Sequence, residues 1–275
     1  MKFILRFVFV VSCLCTTANP LNAKCFRANG SNGGIIKSLD RSGANLFAAT
    51  KYNGVYRSTD NGTSWIAVNN GFPKTYDGSP IYMTINTLVV SGTNLFAGTT
   101  GGGVILSTNN GANWSAVNSG LTYPLVFSLA VSGTNLFAGT WNGIFLSTDN
   151  GTSWSPDSVG IPVGTYINTL TVSGTNLFAG TSGGIYRSTN NGTNWTTINS
   201  GLPNSQVVAL AVSSTNLFAG TVVDGVYLST INGANWSALN SGLPPSTGIR
   251  TFSVSGTNLF AGTYNGGVWL HPLSE

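Results

Sequence analysis

The chain has 275 residues, 41% hydrophobic and only 7% charged, and its formal charge of +4 falls to 9 basic minus 7 acidic residues, or +2, once Lys2 and Arg6 of the N-terminal stretch are set aside. That apolar content supports a sizeable core and excludes a disordered chain, and the scatter of the few charges excludes a nucleic-acid surface built from a basic run. Glycine, at 36 copies, with Ser, Thr and Asn in the polar positions, favours strands and turns over helices.

Residues 1–23 come first: the cations Lys2 and Arg6, an apolar run over 7–14, and a small-residue exit at Ala23. This is the pattern of a secretory signal peptide, and so short a run does not span a bilayer. The mature chain, 24–275, is expected to be secreted, at the cell surface or periplasmic, without a transmembrane segment. Val10-Val11-Ser12-Cys13 also resembles a bacterial lipoprotein cleavage box, so lipid anchoring through Cys13 is the alternative. Cleavage at Ala23 leaves Cys25 as the sole cysteine, which precludes an intramolecular disulfide.

From Ala44 onward the chain repeats. T-N-L-F-A-G-T begins at Thr93, Thr134, Thr175, Thr215 and Thr257, with a near copy, A-N-L-F-A-A-T, at Ala44; the intervals are 49, 41, 41, 40 and 42 residues. The units divide into four short segments bounded by Gly, Asn or Ser, the last unit into three. In the fourth unit these are I-N-T-L-T-V-S-G from Ile167, T-N-L-F-A-G-T from Thr175, G-G-I-Y-R-S-T from Gly183 and T-N-W-T-T-I-N-S-G from Thr193. They read as antiparallel strands A to D joined by tight turns. Six such units at this period predict an all-β fold, a six-bladed β-propeller in one domain over 24–275. A β-helix is the rival, but its coils are usually shorter and do not divide into four segments. The last unit lacks a D strand, and residues 24–30 are expected to close the ring there, with Phe26 in the place of a Trp. The domain is expected to be a monomer.

Between strands C and D lies an octapeptide, S-T-D-N-G-T-S-W, spelled identically from Ser58 and from Ser147. Ser58, Ser107, Ser147, Ser188 and Ser229 open the successive copies, and Trp65, Trp114, Trp154, Trp195 and Trp236 end them. The third position runs Asp60, Asn109, Asp149, Asn190, Ile231, whereas Gly62, Gly111, Gly151, Gly192 and Gly233 never change. A proton-transfer carboxylate cannot alternate with an amide, but a turn acceptor can. The motif therefore reads as structural: an acceptor for backbone N–H groups of its own turn, a glycine for positive φ, and a ring buried between sheets. The fifth turn, with Ile231, is expected to lean on Asn232. The pattern S-x-D-x-G-x-x-W resembles the Asp-box, or bacterial neuraminidase repeat, of sialidases, sortilin, some glucan hydrolases and photosystem II assembly factors, and the regular units resemble secreted bacterial repeat proteins. The resemblance covers all six units and implies the propeller without implying a reaction.

Sialidases hold the substrate carboxylate with three Arg residues and use Tyr, Glu and Asp in catalysis. Here the mature Arg residues are Arg27, Arg41, Arg57, Arg187 and Arg250, the Arg-Ile-Pro sequence of that family is absent, and the one Glu is Glu275. With His271 as the single His, neither a metal cluster nor a Ser-His-Asp triad is expected, and no metal or cofactor. The acids outside the octapeptides, Asp40, Asp77, Asp157 and Asp224, are scattered across units with no spacing that favours a glycosidase pair. A non-catalytic chain is expected.

Up-and-down connectivity places the A–B and C–D turns at one end of every blade and the B–C and D–A loops at the other. The first end is nearly uniform in sequence, and the units differ at the second. The B–C loops there carry Tyr52, Trp141, Asp224 and Tyr264; the D–A loops carry Tyr123 and Tyr166 and, in the longer segment 72–84, Tyr76 and Asp77 beside Tyr82. Aromatic rings beside amides and carboxylates suit sugars or extended peptides. These residues are the candidate ligand site of a binding or surface-interaction module for a glycan or a protein. The alternatives are a sialidase-related glycoside hydrolase using Asp77 or Asp224, and an assembly factor for a membrane complex, which should present a strongly basic rim.

Overall fold

The computed structural model describes residues 35–74, 83–264 and 267–273. The first blade comprises β1 (Ile36–Ser42), β2 (Asn45–Thr50), β3 (Val55–Ser58) and β4 (Ile66–Ala67), and the second β5 (Ile85–Ser91), β6 (Asn94–Thr99), β7 (Val104–Ser107) and β8 (Ser115–Ala116). The third holds β9 (Val126–Ser132), β10 (Asn135–Thr140), β11 (Gly143–Ser147) and β12 (Ser155–Pro156), and the fourth β13 (Ile167–Ser173), β14 (Asn176–Thr181), β15 (Gly184–Ser188) and β16 (Thr196–Thr197). The fifth holds β17 (Val207–Ser213), β18 (Asn216–Thr221), β19 (Val226–Ser229) and β20 (Ser237–Ala238), and the sixth β21 (Ile249–Ser255), β22 (Asn258–Thr263) and β23 (Val268–Pro272). Strands pair antiparallel in chain order, giving five four-stranded sheets and a sixth with three strands among the described residues: a six-bladed β-propeller. The D strands are shorter than the sequence suggests, two residues each, and the octapeptide Trp sits ahead of them in the turn.

The repeated L-F-A-G-T segment is the second strand of each blade because its residues alternate toward two neighbouring blades. Phe47, Phe96, Phe137, Phe178 and Phe218 are all 0–1% exposed. The core is accordingly divided among five seams, each joining strands of one blade to the next; Phe47, Val55 and Val68, for example, pack with Ile85, Leu88, Leu95 and Trp114.

Tryptophan locks each seam. The indole Nε1 of Trp114, Trp154, Trp195 and Trp236 donates back to the preceding blade, to the carbonyls of Val68, Val117, Asp157 and Ile198, at 2.7–2.9 Å. The backbone N–H groups of the same residues donate to Asn70, Ser119, Val159 and Ser200. Those acceptors neighbour Gly71, Gly120, Gly160 and Gly201, each at positive φ, where an added Cβ would run into the carbonyl oxygen of the facing Trp. Trp65 has no described fourth strand of blade six behind it; it is half-buried, and its Nε1 donates to Gly62 of its own turn at 3.0 Å. In the sixth blade Trp269 takes a comparable role from strand C, donating to Ser241 at 3.1 Å and stacking on His271.

The seam between blades six and one is open among the described residues. Leu39 is 39% exposed where Leu88 is 6%, and Val268 is 42% exposed where Val104 is 0%. The closing segment expected from the sequence, 24–30 with Phe26, lies outside the described residues.

Asp157 interrupts the third seam, in the place that Val68, Val117, Ile198 and Leu239 occupy elsewhere. Its Oδ2 is buried without a hydrogen-bond partner, and desolvation raises the carboxyl from 3.8 to about 6. A carboxyl whose pKa rises on folding destabilises the native state fully above the folded value, and the penalty fades as pH falls toward the unfolded value. Asp157→Val is therefore expected to raise the melting temperature at pH 8 and to lose that advantage at pH 4, measured by thermal melts across pH. Truncating the seam locks is expected to show their unequal burial: Trp195→Ala costs about 3–5 kcal/mol in urea unfolding, and Trp65→Ala well under half of that.

Candidate functional site

A β-bulge at the start of every inner strand builds the variable rim. In each blade the register between the first and second strands slips by one residue there, for example between Ile36 and Ser38 and between Ile85 and Thr87. The residue left out of register is Lys37, Asn86, Phe127, Asn168, Val208 or Arg250, going round from blade one to blade six. Bulges free a side chain from the ladder and re-aim it. The first residue of the same blade's B–C loop is Lys51, Thr100, Trp141, Ser182, Val222 or Tyr264, and in two blades the bulge residue touches it. Asn86 Nδ2 donates to Thr100 Oγ1 at 3.0 Å, and the Arg250 guanidinium stacks on the Tyr264 ring at 3.3 Å. The loop bases are rigid, because the buried hydroxyls of Thr50, Thr99, Thr140, Thr181 and Thr221 donate across each loop to glycine carbonyls at 2.8–3.0 Å.

The pairs differ in chemistry around the ring: two cations, amide with hydroxyl, two aromatics, amide with hydroxyl, two aliphatics, cation with aromatic. The two amides also bridge blades, Asn86 Nδ2 donating to the Val126 carbonyl at 2.8 Å and Asn168 Nδ2 to that of Val207 at 3.0 Å. These carbonyls flank the next blade's bulge, so the amides satisfy acceptors that the slipped ladder leaves unmet.

Of the candidates read from the sequence, Tyr123, Trp141 and Tyr166 come together. Trp141 lies edge-on to Tyr123 at 5.7 Å and to Tyr166 at 6.2 Å, and Tyr166 lies 6.3 Å from Phe127. Trp141 is 41% exposed and Tyr166 43%, so the cluster presents rings to solvent as well as to one another. Tyr52 and Tyr264 lie apart from it, each with a cation over its ring. Desolvation, and after it the charge of Asp224, raise the pKa of Tyr227, and the Asp224 backbone N–H donates to Thr221 Oγ1. Tyr76, Asp77 and Tyr82 lie outside the described residues. None of the six bulge residues is among the candidates legible as loop aromatics or acids. The available signal was the second position of strand A, which changes in nearly every unit between near-constant neighbours. The cations are scattered in the sequence with no basic run, yet the fold brings Lys51 and Arg250 within electrostatic range of Lys37 over blades six and one.

At the opposite end the octapeptide turns are closed by their own groups. Ser58 Oγ donates to Asp60 Oδ1 at 2.7 Å and accepts from Gly62 N at 2.8 Å; Ser64 N and Oγ donate to the two Asp60 oxygens at 2.9 and 2.5 Å. Asp149 repeats the set with Ser147, Gly151 and Ser153. Asn109 and Asn190 keep the acceptor role toward the N–H groups of Asn113 and Asn194. With Ile231 the fifth turn retains only the Ser229 Oγ to Gly233 bond of this set; Asn232 takes φ +53°, as Asn61, Asn110, Asn150 and Asn191 take similar values, so its part is the left-handed backbone shared by every copy. Arg57 and Arg187 donate to the Asn110 and Asn232 carbonyls of the following turn at 3.1 and 3.2 Å.

Hydrogen bonds from Ser64 and Ser153 hold Asp60 and Asp149 down at about 2, against an ordinary 3.8. Stability from a depressed carboxyl is present above the unfolded value and is lost as pH falls through the folded one. The pair Asp60→Asn/Asp149→Asn is expected to fold normally at pH 7 and to show a flatter loss of stability between about pH 4 and pH 2 in acid titrations followed by circular dichroism.

Residues 138–261 match the sequence model of the DUF6242 beta propeller domain. No curated protein matches the chain by sequence. Among solved structures the fold is similar to the extracellular domain of the one component system BT4673 from B. thetaiotaomicron, at 17% identity and TM-score 0.69 over 89% of this chain and 33% of that one. It is similar to YCF48 bound to D1 peptide, at 16% identity and TM-score 0.67 over 92% and 82% of the two chains. It is also similar to the GH74 xyloglucanase from Xanthomonas campestris, at 18% identity and TM-score 0.66 over 84% and 43%. The chain thus spans about a third of the BT4673 domain and under half of the xyloglucanase. No helix among the described residues is long and apolar enough to cross a membrane, and these residues hold no cluster of three or more His, Cys, Asp and Glu side chains placed to bind a metal.

Proposed function

We propose that the chain is an exported, non-catalytic Asp-box propeller that binds a glycan on its bulged rim. One observation carries this reading: the contiguous Tyr123, Trp141, Tyr166 and Phe127 rings, half-exposed on the end of the blades where the units differ. Flat rings stack on the apolar faces of sugars, and neighbouring amides and hydroxyls pair with sugar hydroxyls. The N-terminal pattern supports export, through a cleaved signal or a lipid on Cys13, and the similarity to an extracellular domain agrees with it. The closed turn network supports the Asp-box assignment, since the Ser, the Asp or Asn and the Trp that recur among the units have partners within the turn or the adjoining seam.

The non-catalytic reading is supported by where the described carboxylates lie. Asp60 and Asp149 are held in turns, Asp157 lies in a seam, and Asp40 accepts backbone N–H bonds from Arg41 and Val90. Asp224 alone is on the described rim, and retaining or inverting hydrolysis needs two carboxyl groups about 5–10 Å apart.

The test is binding of Trp141→Ala/Tyr166→Ala on a glycan array beside its thermal melt. A melt within a few degrees of the parent with signal reduced at least about tenfold is expected for loss of two stacking rings. An unchanged array signal would remove this surface from consideration.

A further inference from the structure

Three cations of the described residues have structural hydrogen-bond partners: Arg41 donates to Gly43, and Arg57 and Arg187 to the neighbouring turns. Lys37, Lys51 and Arg250 do not follow this pattern. Lys37 is the bulge residue of β1 and Lys51 the first residue of that blade's B–C loop, the positions at which Asn86 touches Thr100 in the second blade. Arg250 is the bulge residue of β21, the inner strand across the open seam, and is stacked on Tyr264; the Lys51 ammonium lies 4.7 Å over Tyr52. Lost hydration, then the charges of Arg250 and Lys51, lower the Lys37 ammonium from its usual value. No described carboxylate forms an ion pair with any of the three. Gathering like charges costs free energy, and in a chain only 7% charged their meeting at one point of the mouth is an arrangement that a bound anion would offset.

We propose that this arc is a carboxylate-binding subsite for an acidic polysaccharide, whose uncharged faces lie on the Trp141 platform across the same mouth. The proposal rests on the glycan-binding reading and assigns its ligand class. A planar guanidinium held against a ring can donate paired N–H bonds to a carboxylate, and two ammonium groups add point charges. A polymer of uronate units offers both charge and stacking faces along its length. An acidic peptide also offers carboxylates, on its Asp and Glu side chains and its C-terminus, but it does not join each charge to a flat apolar ring face as a uronate unit does, and that combination is what a cationic arc across from an aromatic platform matches.

The test titrates the whole protein calorimetrically with galacturonate, glucuronate and mannuronate oligosaccharides and with the same oligosaccharides after carboxyl reduction. At least one acidic form is expected to bind more tightly than its reduced counterpart, with affinity falling as salt rises. Lys37→Gln/Lys51→Gln/Arg250→Gln is expected to weaken that acidic form by about tenfold or more and leave the reduced form unchanged, while Arg250→Lys retains part of the difference. Trp141→Ala should weaken both forms. Equal binding of acidic and reduced forms, with no effect of the charge variant, would overturn the anion subsite and keep the glycan reading. Binding of neither form would overturn both, and tighter binding of a peptide with a free C-terminal carboxylate would overturn the polysaccharide assignment.

Discussion

The molecule depends on one interaction repeated along the chain: an indole N–H reaching back to a carbonyl of the preceding blade, beside a glycine that lets the two backbones touch. A propeller blade cannot bury its faces alone, and its neighbours supply the cover. The Trp ring provides apolar area and the hydrogen bond fixes its depth, so each blade is seated at a defined distance from the last. The glycines at the seams make that distance possible, because a side chain there would collide with the Trp carbonyl. Where no described fourth strand stands behind it, at the seam with blade six, Trp65 sets its indole on its own turn.

This lock separates the two ends of the propeller by what they are free to do. The octapeptide turn has to present Trp at a fixed angle, so its hydroxyl, acceptor and glycine are tied to one another and carry no spare chemistry. At the far end the bulge takes one residue per inner strand out of the ladder. That residue contributes little to seating the blade, apart from the amide bridges of Asn86 and Asn168, and it varies from lysine to phenylalanine to arginine. The contacts that fix the repeat thus leave a ring of twelve rim residues, two per blade, in which binding chemistry can differ.

Much of the fold was legible in the sequence, since the period, the glycines and the octapeptides state the blades and their order directly. The structural reading of Asp60, Asn109, Asp149 and Asn190 was legible as well, because a side chain that alternates between acid and amide names its own job. Tyr123, Trp141 and Tyr166 were found as loop aromatics. Their contact was not, because adjacent blades bring together residues some twenty positions apart or more. The bulge ring stayed hidden for a related reason: a register slip is decided by strand pairing, and nothing in I-K-S-L or I-R-T-F marks the second residue as unpaired. The convergence of Lys37, Lys51 and Arg250 joins the two ends of the described chain, which no linear reading brings near.

The most direct measurement compares two glycine substitutions in unfolding experiments. Gly201 and Gly174 both hold positive φ, +85° and +59°, so alanine at either carries left-handed backbone strain of about 1–2 kcal/mol. Only at Gly201 does the added methyl meet the carbonyl of Trp236, whereas at Gly174 nothing lies within 4 Å. The expected result is that Gly201→Ala destabilises the protein by at least about 2 kcal/mol more than Gly174→Ala. Equal costs at the two sites would contradict the close seam contact on which the placement of every blade, and of the rim above it, is built.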